Sequence, residues 1–120
     1  MPKVLIADRL PREIYVPLFQ EAGIEFVDRN SSSSPLEELI ADCEGLIVRS
    51  ATKVTQQLLE RAPRLKIIGR AGTGYDNVDL NAATLRGIVV ENTPDANSNS
   101  AAEHTMGLIY ALSRNISFAD

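Results

Sequence analysis

The sequence LKIIGRAGTGYDNVD, residues 65–79, decides the fold because it contains a strand, a loop and the start of a helix in succession. Residues 65–68 are apolar apart from one lysine, which is typical of a short strand buried on both faces of a sheet. Residues 69–79 contain Arg70 and two closely spaced glycines, and a helical pattern begins near Leu80. This order is one unit of an α/β sheet, and we interpret its loop as an anion-binding loop.

The same unit recurs on both sides of this stretch. Strands are predicted at 4–7, 24–27, 45–48, 65–68 and 88–90. Helices are predicted at about 11–22, from Pro35 onward, from Thr55 to Pro63, from Asp79 to Gly87 and, as the longest, at 98–116. Five strands alternating with five helices predict an α/β fold with a flavodoxin-like, doubly wound parallel five-stranded sheet, in the order 2-1-3-4-5 and with three layers. The strand at 24–27 is more polar and is expected at an edge of the sheet.

The composition indicates one globular domain. The chain has 120 residues, of which 44% are apolar and 23% charged, and its net charge of -4 argues against a nucleic-acid partner or an anionic membrane surface. Cys43 is the only cysteine, which rules out an intramolecular disulfide and fits a cytoplasmic location. His104 is the only histidine, so no histidine-based zinc site is expected and no metal is predicted.

Polar residues follow the ends of neighbouring predicted strands. Arg49 and Ser50 follow the third strand, Arg70 ends the fourth, and three further positions lie in the following loops: Gly72, Gly74 and Asn97. Because the carboxyl ends of parallel strands meet at one edge of the sheet, these groups predict one pocket for a small anion that carries a carboxylate or a phosphate. Taken singly, each has a simpler explanation as a solvated arginine, a turn glycine or a helix N-cap.

Three other interpretations fit the residues less well. The loop at 72–77 lacks the third glycine of a dinucleotide fingerprint and does not follow the first strand. A phosphoacceptor domain needs a carboxylate after the third strand, where Arg49 stands, and a flavin site needs aromatic walls that a chain without tryptophan does not offer. His104 and Glu103 are neighbours on a predicted helix and point in different directions, so no catalytic role is assigned to them.

Three motifs resemble the D-2-hydroxyacid dehydrogenase family, in particular the N-terminal part of members that act on phosphohydroxy acids. They are residues 48–55, 69–79 and 92–103, they occur in the family's order, and the resemblance covers essentially the whole chain. It implies a flavodoxin-like substrate-binding domain at 1–97 and a long apolar helix at 98–120 that crosses to an NAD-binding domain. It also implies that the substrate, an anion of the 3-phosphoglycerate class, contacts six residues, with Thr73 near the nicotinamide; the six are Arg49, Ser50, Arg70, Gly72, Gly74 and Asn97.

The sequence departs from the family pattern in what it lacks. The family's glycine-rich NAD motif, its catalytic histidine with the partner glutamate, and its catalytic arginine are absent from these 120 residues. No residue here replaces a histidine that acts as acid and base in hydride transfer. We therefore expect a truncated or engineered half of the enzyme with no catalytic residue, no activity and no tight NAD binding.

The last predicted helix is apolar on more than one side. Residues 106–112 are continuously apolar, whereas a helix that covers one sheet face needs only a stripe. The helix is expected either to close the same domain or to exchange with a second chain, which predicts a homodimer through 98–116. The alternative function is a stand-alone flavodoxin-like module that binds small anions or a protein partner without chemistry.

Overall fold

The computed structural model of the protein describes residues 2–71 and 75–92, together with residues 107, 109, 110, 112 and 114. The five strands are β1 (Lys3–Ile6), β2 (Glu25–Asp28), β3 (Gly45–Val48), β4 (Ile67–Arg70) and β5 (Val89–Asn92). The helices between them are α1 (Arg12–Ala22), α2 (Leu36–Leu39), α3 (Gln56–Glu60) and α4 (Leu80–Leu85), with 3-10 turns at Arg29–Ser31 and Ile40–Asp42. The predicted alternation of strands and helices is confirmed over these residues.

The five strands form one parallel sheet in the order β2-β1-β3-β4-β5, as the sequence predicted. Its register places Leu5 of β1 opposite Val27 of β2 and Leu46 of β3. The chain winds outward from β1 to β2, then returns past β1 and winds the other way through β3, β4 and β5. The crossovers therefore diverge between β1 and β3, which leaves a crevice at the carboxyl ends of these two strands.

The sheet is the middle of three layers. Successive strand residues point to opposite faces, so Leu5 belongs to the core cluster that includes side chains of α2, α3 and α4, while Val4 and Ile6 belong to the cluster on the side of α1. On the α1 side, Tyr15 and Phe19 are completely buried. Burial of side chains of this size contributes roughly 1.5–3 kcal/mol each. The three-layer prediction is confirmed.

Local sequence signals set most of the helix ends. Thr55 caps α3 by accepting a hydrogen bond from the Leu58 backbone N–H, and Asp79 caps α4 by accepting one from Ala82. Gly23 ends α1 in the left-handed conformation, with φ 70°. The helix expected from Pro35 onward begins one residue later, because Pro35 is the N-cap, and α2 has only four residues before the chain tightens into a 3-10 turn.

Strand boundaries differ from the prediction by one or two residues. The fourth strand was expected at 65–68, but β4 begins at Ile67, which pairs with Gly45 of β3 and Val89 of β5. Leu65 is buried just before the strand, so its apolar character reflects packing in the turn. β5 likewise extends to Asn92 because its register with β4 continues to Arg70. The edge position predicted for the second strand is confirmed.

Part of the last predicted helix is described. Gly107, Ile109, Tyr110, Leu112 and Arg114 are helical. Ile109 and Leu112 are buried and belong to the core cluster on the α1 side of the sheet, whereas Tyr110 is 58% exposed. The other residues of 98–120, including Glu103 and His104, lie outside the described part. Among the helices that the structure describes, none has the length and hydropathy of a membrane span.

Candidate functional site

The carboxyl end of β1 is organised by one buried carboxylate, that of Asp8. Its Oδ2 accepts hydrogen bonds from the backbone N–H of Arg49, at 2.6 Å, and of Thr52, at 3.2 Å. Its Oδ1 accepts a bond of 2.6 Å from the Thr52 hydroxyl. Asp8 is only 8% exposed, and these donors replace the water that a buried carboxylate loses. The carboxylate therefore fixes the loop that follows β3.

A second buried side chain, Asn77, joins this loop to the one that follows β4. Its Nδ2 donates to the carbonyl oxygens of Arg49, at 2.6 Å, and Thr52, at 2.7 Å. Its Oδ1 accepts a bond of 2.7 Å from Nε of Arg70. With 5% exposure, Asn77 satisfies three groups that would otherwise lack a partner in the protein interior. The backbone at Arg49 and the guanidinium of Arg70 are thus held by one amide.

Backbone hydrogen bonds hold the same two loops together. Val54 and Val78 form an isolated parallel bridge, in which the Val54 N–H donates to Asn77 at 2.8 Å and the Asp79 N–H donates to Val54 at 2.9 Å. The Ala71 N–H donates to Val48 at 2.9 Å, which continues the pairing of β3 and β4 past the strand ends. The loops after β3 and β4 therefore form one connected structure.

A cavity of about 420 Å³ opens at the crevice between β1 and β3. It is lined by residues that follow three strands: Asp8, Arg9, Asn30, Arg49, Ser50 and Ala51. Its volume falls within the range of about 300–1,000 Å³ that is usual for small-ligand sites. Two guanidiniums, a hydroxyl and an amide line it, beside a carboxylate that is already hydrogen-bonded to the loop. The cavity is suited chemically to a small anion.

The predicted site residues fall into three groups. Arg49 and Ser50 are exposed and line this cavity together. Arg70 is 9% exposed. Its guanidinium donates a hydrogen bond to Asn77 and lies 3.6 Å from the Asp76 carboxylate. It is not among the cavity's described lining residues. Four of the predicted positions lie outside the described residues: Gly72, Thr73, Gly74 and Asn97.

Sequence reasoning missed Arg9, Asn30 and the two buried hydrogen-bonding residues. From the sequence, no role was assigned to Asp8 or to Asn77. The sequence contained a signal for each of them. Asp8 and Arg9 directly follow a buried strand at the point where the strand order reverses. Asn77 lies in the polar segment that delays α4. Two of its three partners, Arg49 and Thr52, lie 28 and 25 positions away and could not be inferred from spacing.

A polar cluster next to the cavity holds the end of β2. Asp28 Oδ2 accepts hydrogen bonds from the Tyr15 hydroxyl, at 3.0 Å, and the Arg12 guanidinium, at 3.1 Å, and Oδ1 accepts one from the Asn30 N–H at 3.0 Å. Burial alone would raise the pKa of Asp28, but these hydrogen bonds outweigh it and hold the pKa below its ordinary value of 3.8. The cluster thereby fixes the turn that carries Asn30.

Comparison with known proteins places the chain in a family. Residues 4–117 match the family described as D-isomer specific 2-hydroxyacid dehydrogenase, catalytic domain. The chain belongs to this family. A curated relative, the D-3-phosphoglycerate dehydrogenase of Sus scrofa, is 55% identical over 120 residues, and the match covers 95% of this chain. The chain spans only 21% of the length of that relative.

Solved structures agree with the assignment to the D-2-hydroxyacid dehydrogenases. A protein from Pyrococcus horikoshii is 40% identical with a TM-score of 0.68, over 100% of this chain and 36% of that one. The NAD+-bound 3-phosphoglycerate dehydrogenase of Entamoeba histolytica is 30% identical with a TM-score of 0.66, over 77% of this chain and 32% of that one. The family resemblance and the fold predicted from the motifs are confirmed.

NAD is the cofactor named for the Entamoeba member of the family, but the described residues of this chain do not form a dinucleotide site. In a dinucleotide fold the pyrophosphate lies at a glycine-rich turn after the first strand. Here that turn carries the buried Asp8 carboxylate and Arg9, and α1 starts after Pro11 without a side-chain cap. The described turn after β1 therefore lacks the glycine-rich phosphate-binding sequence of a dinucleotide fold.

Proposed function

We propose that this chain is the substrate-binding portion of an NAD-dependent 3-phosphoglycerate dehydrogenase, which oxidises 3-phosphoglycerate to 3-phosphohydroxypyruvate at the first step of serine biosynthesis. The observation that carries the proposal is the cavity at the crevice between β1 and β3, with Arg49 and Ser50 in its wall. Ligands of doubly wound sheets bind at such a point. The identity to the Sus scrofa enzyme supports 3-phosphoglycerate as the substrate within the family.

Each proposed substrate residue has a chemical reason. The Arg49 guanidinium is exposed at the cavity and can form two parallel hydrogen bonds to a carboxylate or phosphoryl group. The Ser50 hydroxyl can donate to the same anion. Arg70, Gly72, Gly74 and Asn97 are proposed to surround the other side of the substrate, with Thr73 facing the nicotinamide when NAD is bound. The role of these residues is to bind and orient the hydroxy acid.

Hydride transfer from the substrate carbon to NAD requires a base that removes the hydroxyl proton. The proposed substrate residues include arginines, glycines, a serine and an asparagine, none of which is a base near neutral pH. We propose that the isolated 120-residue chain binds substrate weakly, binds NAD little and is inactive. A homodimer through helix 98–116 is part of the same proposal, and exposed Tyr110 on that helix is consistent with it.

Calorimetric titration of the 120-residue chain with 3-phosphoglycerate and, separately, with NAD tests the function. We expect a dissociation constant on the order of 1 mM for 3-phosphoglycerate, about 4 kcal/mol of binding free energy, and no measurable heat with NAD. Arg49→Gln should abolish the heat of 3-phosphoglycerate binding. The matched control is Arg64→Gln, which removes the same charge just before β4, at the amino-terminal end of the strands. It should leave that heat unchanged.

Four outcomes would contradict the proposal or a part of it. Absence of 3-phosphoglycerate binding would remove its basis. Equal affinity for 3-phosphoglycerate and for unrelated small anions would favour the alternative function, a general anion-binding module. NADH formation by the purified chain, followed at 340 nm, would show that a complete active site is present and would contradict the predicted inactivity. Light scattering that gives a strict monomer at high concentration would contradict the homodimer.

A further inference from the structure

Arg9 introduces a positive charge that the described part of the chain does not neutralise. It is exposed at the carboxyl end of β1 and lines the same cavity as Arg49. Neither arginine takes part in an ion pair among the described residues, whereas the nearby Arg12 is paired with Asp28 at 3.1 Å. The chain as a whole has a net charge of -4, so this local excess of positive charge contrasts with its overall composition.

Asp8, the only carboxylate among the described lining residues, cannot serve as the missing partner without loss elsewhere. Both oxygens of Asp8 accept hydrogen bonds from the loop at Arg49 and Thr52, and the residue is buried. Rotation of this carboxylate toward Arg9 would leave the Arg49 N–H, the Thr52 N–H and the Thr52 hydroxyl without their acceptor, which is unfavourable in a site that is largely closed to water. The cavity thus remains cationic in its solvent-facing part.

The backbone holds the two arginines next to each other. Nη1 of Arg49 donates to the carbonyl oxygen of Arg9 at 3.4 Å, across neighbouring strands. Because both arginines line one cavity, an anion bound there is attracted by two positive charges. A phosphoryl group suits this position better than a carboxylate, because it carries up to two negative charges and three acceptor oxygens. The Asn30 amide and the Ser50 hydroxyl supply neutral donors at the same cavity.

The order of the strands gives the substrate a direction. Arg9 follows β1, Arg49 follows β3, and Arg70 ends β4 on the far side of β3. Adjacent strands are about 4.8 Å apart, so the ends of β1 and β4 are separated by roughly 10 Å. A three-carbon acid with an anionic group at each end can extend along this edge. Its carboxylate then lies toward β4 and its phosphoryl group toward β1.

We propose that Arg9 binds the phosphoryl group of the substrate and selects phosphorylated over unphosphorylated 2-hydroxy acids. This inference rests on the proposed function and adds to it a residue and an orientation of the substrate. Arg49 lies between the two anionic ends and contributes to the binding of both. Arg9 contributes only at the phosphoryl end, so its removal should change selectivity as well as affinity.

Titration of the 120-residue chain with three ligands tests the inference: 3-phosphoglycerate, D-glycerate and inorganic phosphate. Binding is followed by the amide resonances of Arg49 and Ser50. Arg9→Gln should weaken the binding of 3-phosphoglycerate and of inorganic phosphate about tenfold, because one charge-assisted contact is lost. The dissociation constant for D-glycerate should stay within about twofold of the wild-type value. Arg9→Lys should retain part of the affinity for the phosphorylated ligands. Arg64→Gln should change none of the three titrations.

The outcomes separate this inference from the proposed function. Suppose first that the wild type binds 3-phosphoglycerate. If Arg9→Gln binds it equally well, or if the substitution weakens D-glycerate binding as much as 3-phosphoglycerate binding, the role of Arg9 is wrong while the proposed function stands. If wild type binds 3-phosphoglycerate no better than D-glycerate, the phosphoryl site is wrong. If wild type binds neither acid, the proposed function fails and the inference fails with it.

Discussion

Asn77 and Asp8 show how single buried side chains define the shape of the candidate site. Neither is proposed to bind the substrate, as Arg49 is. Together they hydrogen-bond the loop between Arg49 and Thr52 from the side of the protein interior. Asp8 accepts from the N–H groups of this loop and Asn77 donates to its carbonyl groups. The two residue types are therefore not interchangeable at these positions.

Replacement of Asn77 by alanine should destabilise the protein strongly. The variant leaves two carbonyl oxygens and Nε of Arg70 without their partner, and we expect a loss of about 3 kcal/mol in the free energy of unfolding. Urea denaturation followed by circular dichroism measures this loss. Asn81→Ala, at an exposed position of α4, is the control and should change the stability by less than about 0.5 kcal/mol. Equal effects of the two substitutions would contradict the role assigned to Asn77.

The hydrogen bonds to Asp28 predict a pH dependence. Because the folded-state pKa of Asp28 lies below 3.8, its contribution to stability is present above that value and is lost as pH falls through the folded pKa. Asp28→Asn should therefore reduce the free energy of unfolding at pH 7 by about 1–2 kcal/mol. The difference from wild type should shrink as the pH is lowered from about 5 toward 2. A constant difference over this range would show that the charge of Asp28 contributes nothing.

At the scale of elements, short helices and strands are specified by their ends. α4 has only six residues, and its two ends have different causes: the Asp79 side chain caps the start, and Gly87 ends the helix at φ 70°. The Gly87 N–H donates to Thr84 at 3.0 Å and the Ile88 N–H to Ala83 at 2.9 Å, which is the pattern of a left-handed helix end. This turn directs the chain into β5.

Gly87→Ala should cost about 1 kcal/mol of stability, because a side chain with a β-carbon is strained at positive φ. An added β-carbon meets no atom within 4 Å, so the backbone conformation is the only source of the cost. Gly87→Asn is the matched comparison, since asparagine adopts this conformation more readily, and it should retain more stability than the alanine variant. Thermal unfolding of the three proteins ranks their stabilities. An alanine variant as stable as the wild type, or more stable, would refute the expectation.

At the scale of the whole molecule, the pattern of apolar segments was sufficient to predict the sheet. Each strand is a short apolar run between turn signals, and the alternation with helices restricts the order to few choices. Precise ends were not predictable, because β4 and β5 take their bounds from pairing with each other. The site was predicted in part: Arg49 and Ser50 follow a strand visibly, whereas the contacts of Asn77 join residues 25 and 28 positions apart.

Cys43 reports on the integrity of the whole core. Its side chain is fully buried on the α2–α4 side of the sheet, and burial raises the pKa of the thiol to about 11. The reactive thiolate is therefore scarce at pH 8, and access requires opening of the core. We expect slow reaction with Ellman's reagent in the native protein and fast reaction in urea. Asn77→Ala should react faster than wild type, and a fast native reaction would contradict the burial of Cys43.

The way in which the Arg49–Thr52 loop is held has a consequence for redesign of the protein. Its peptide groups are bound from the interior by Asp8 and Asn77, so the conformation of this loop depends mainly on these two buried residues and little on its outward side chains. Positions 9, 49 and 50 can consequently be randomised in a combinatorial library with little loss of folded members. Variants selected from such a library would differ in the acids that they accept while they share one scaffold.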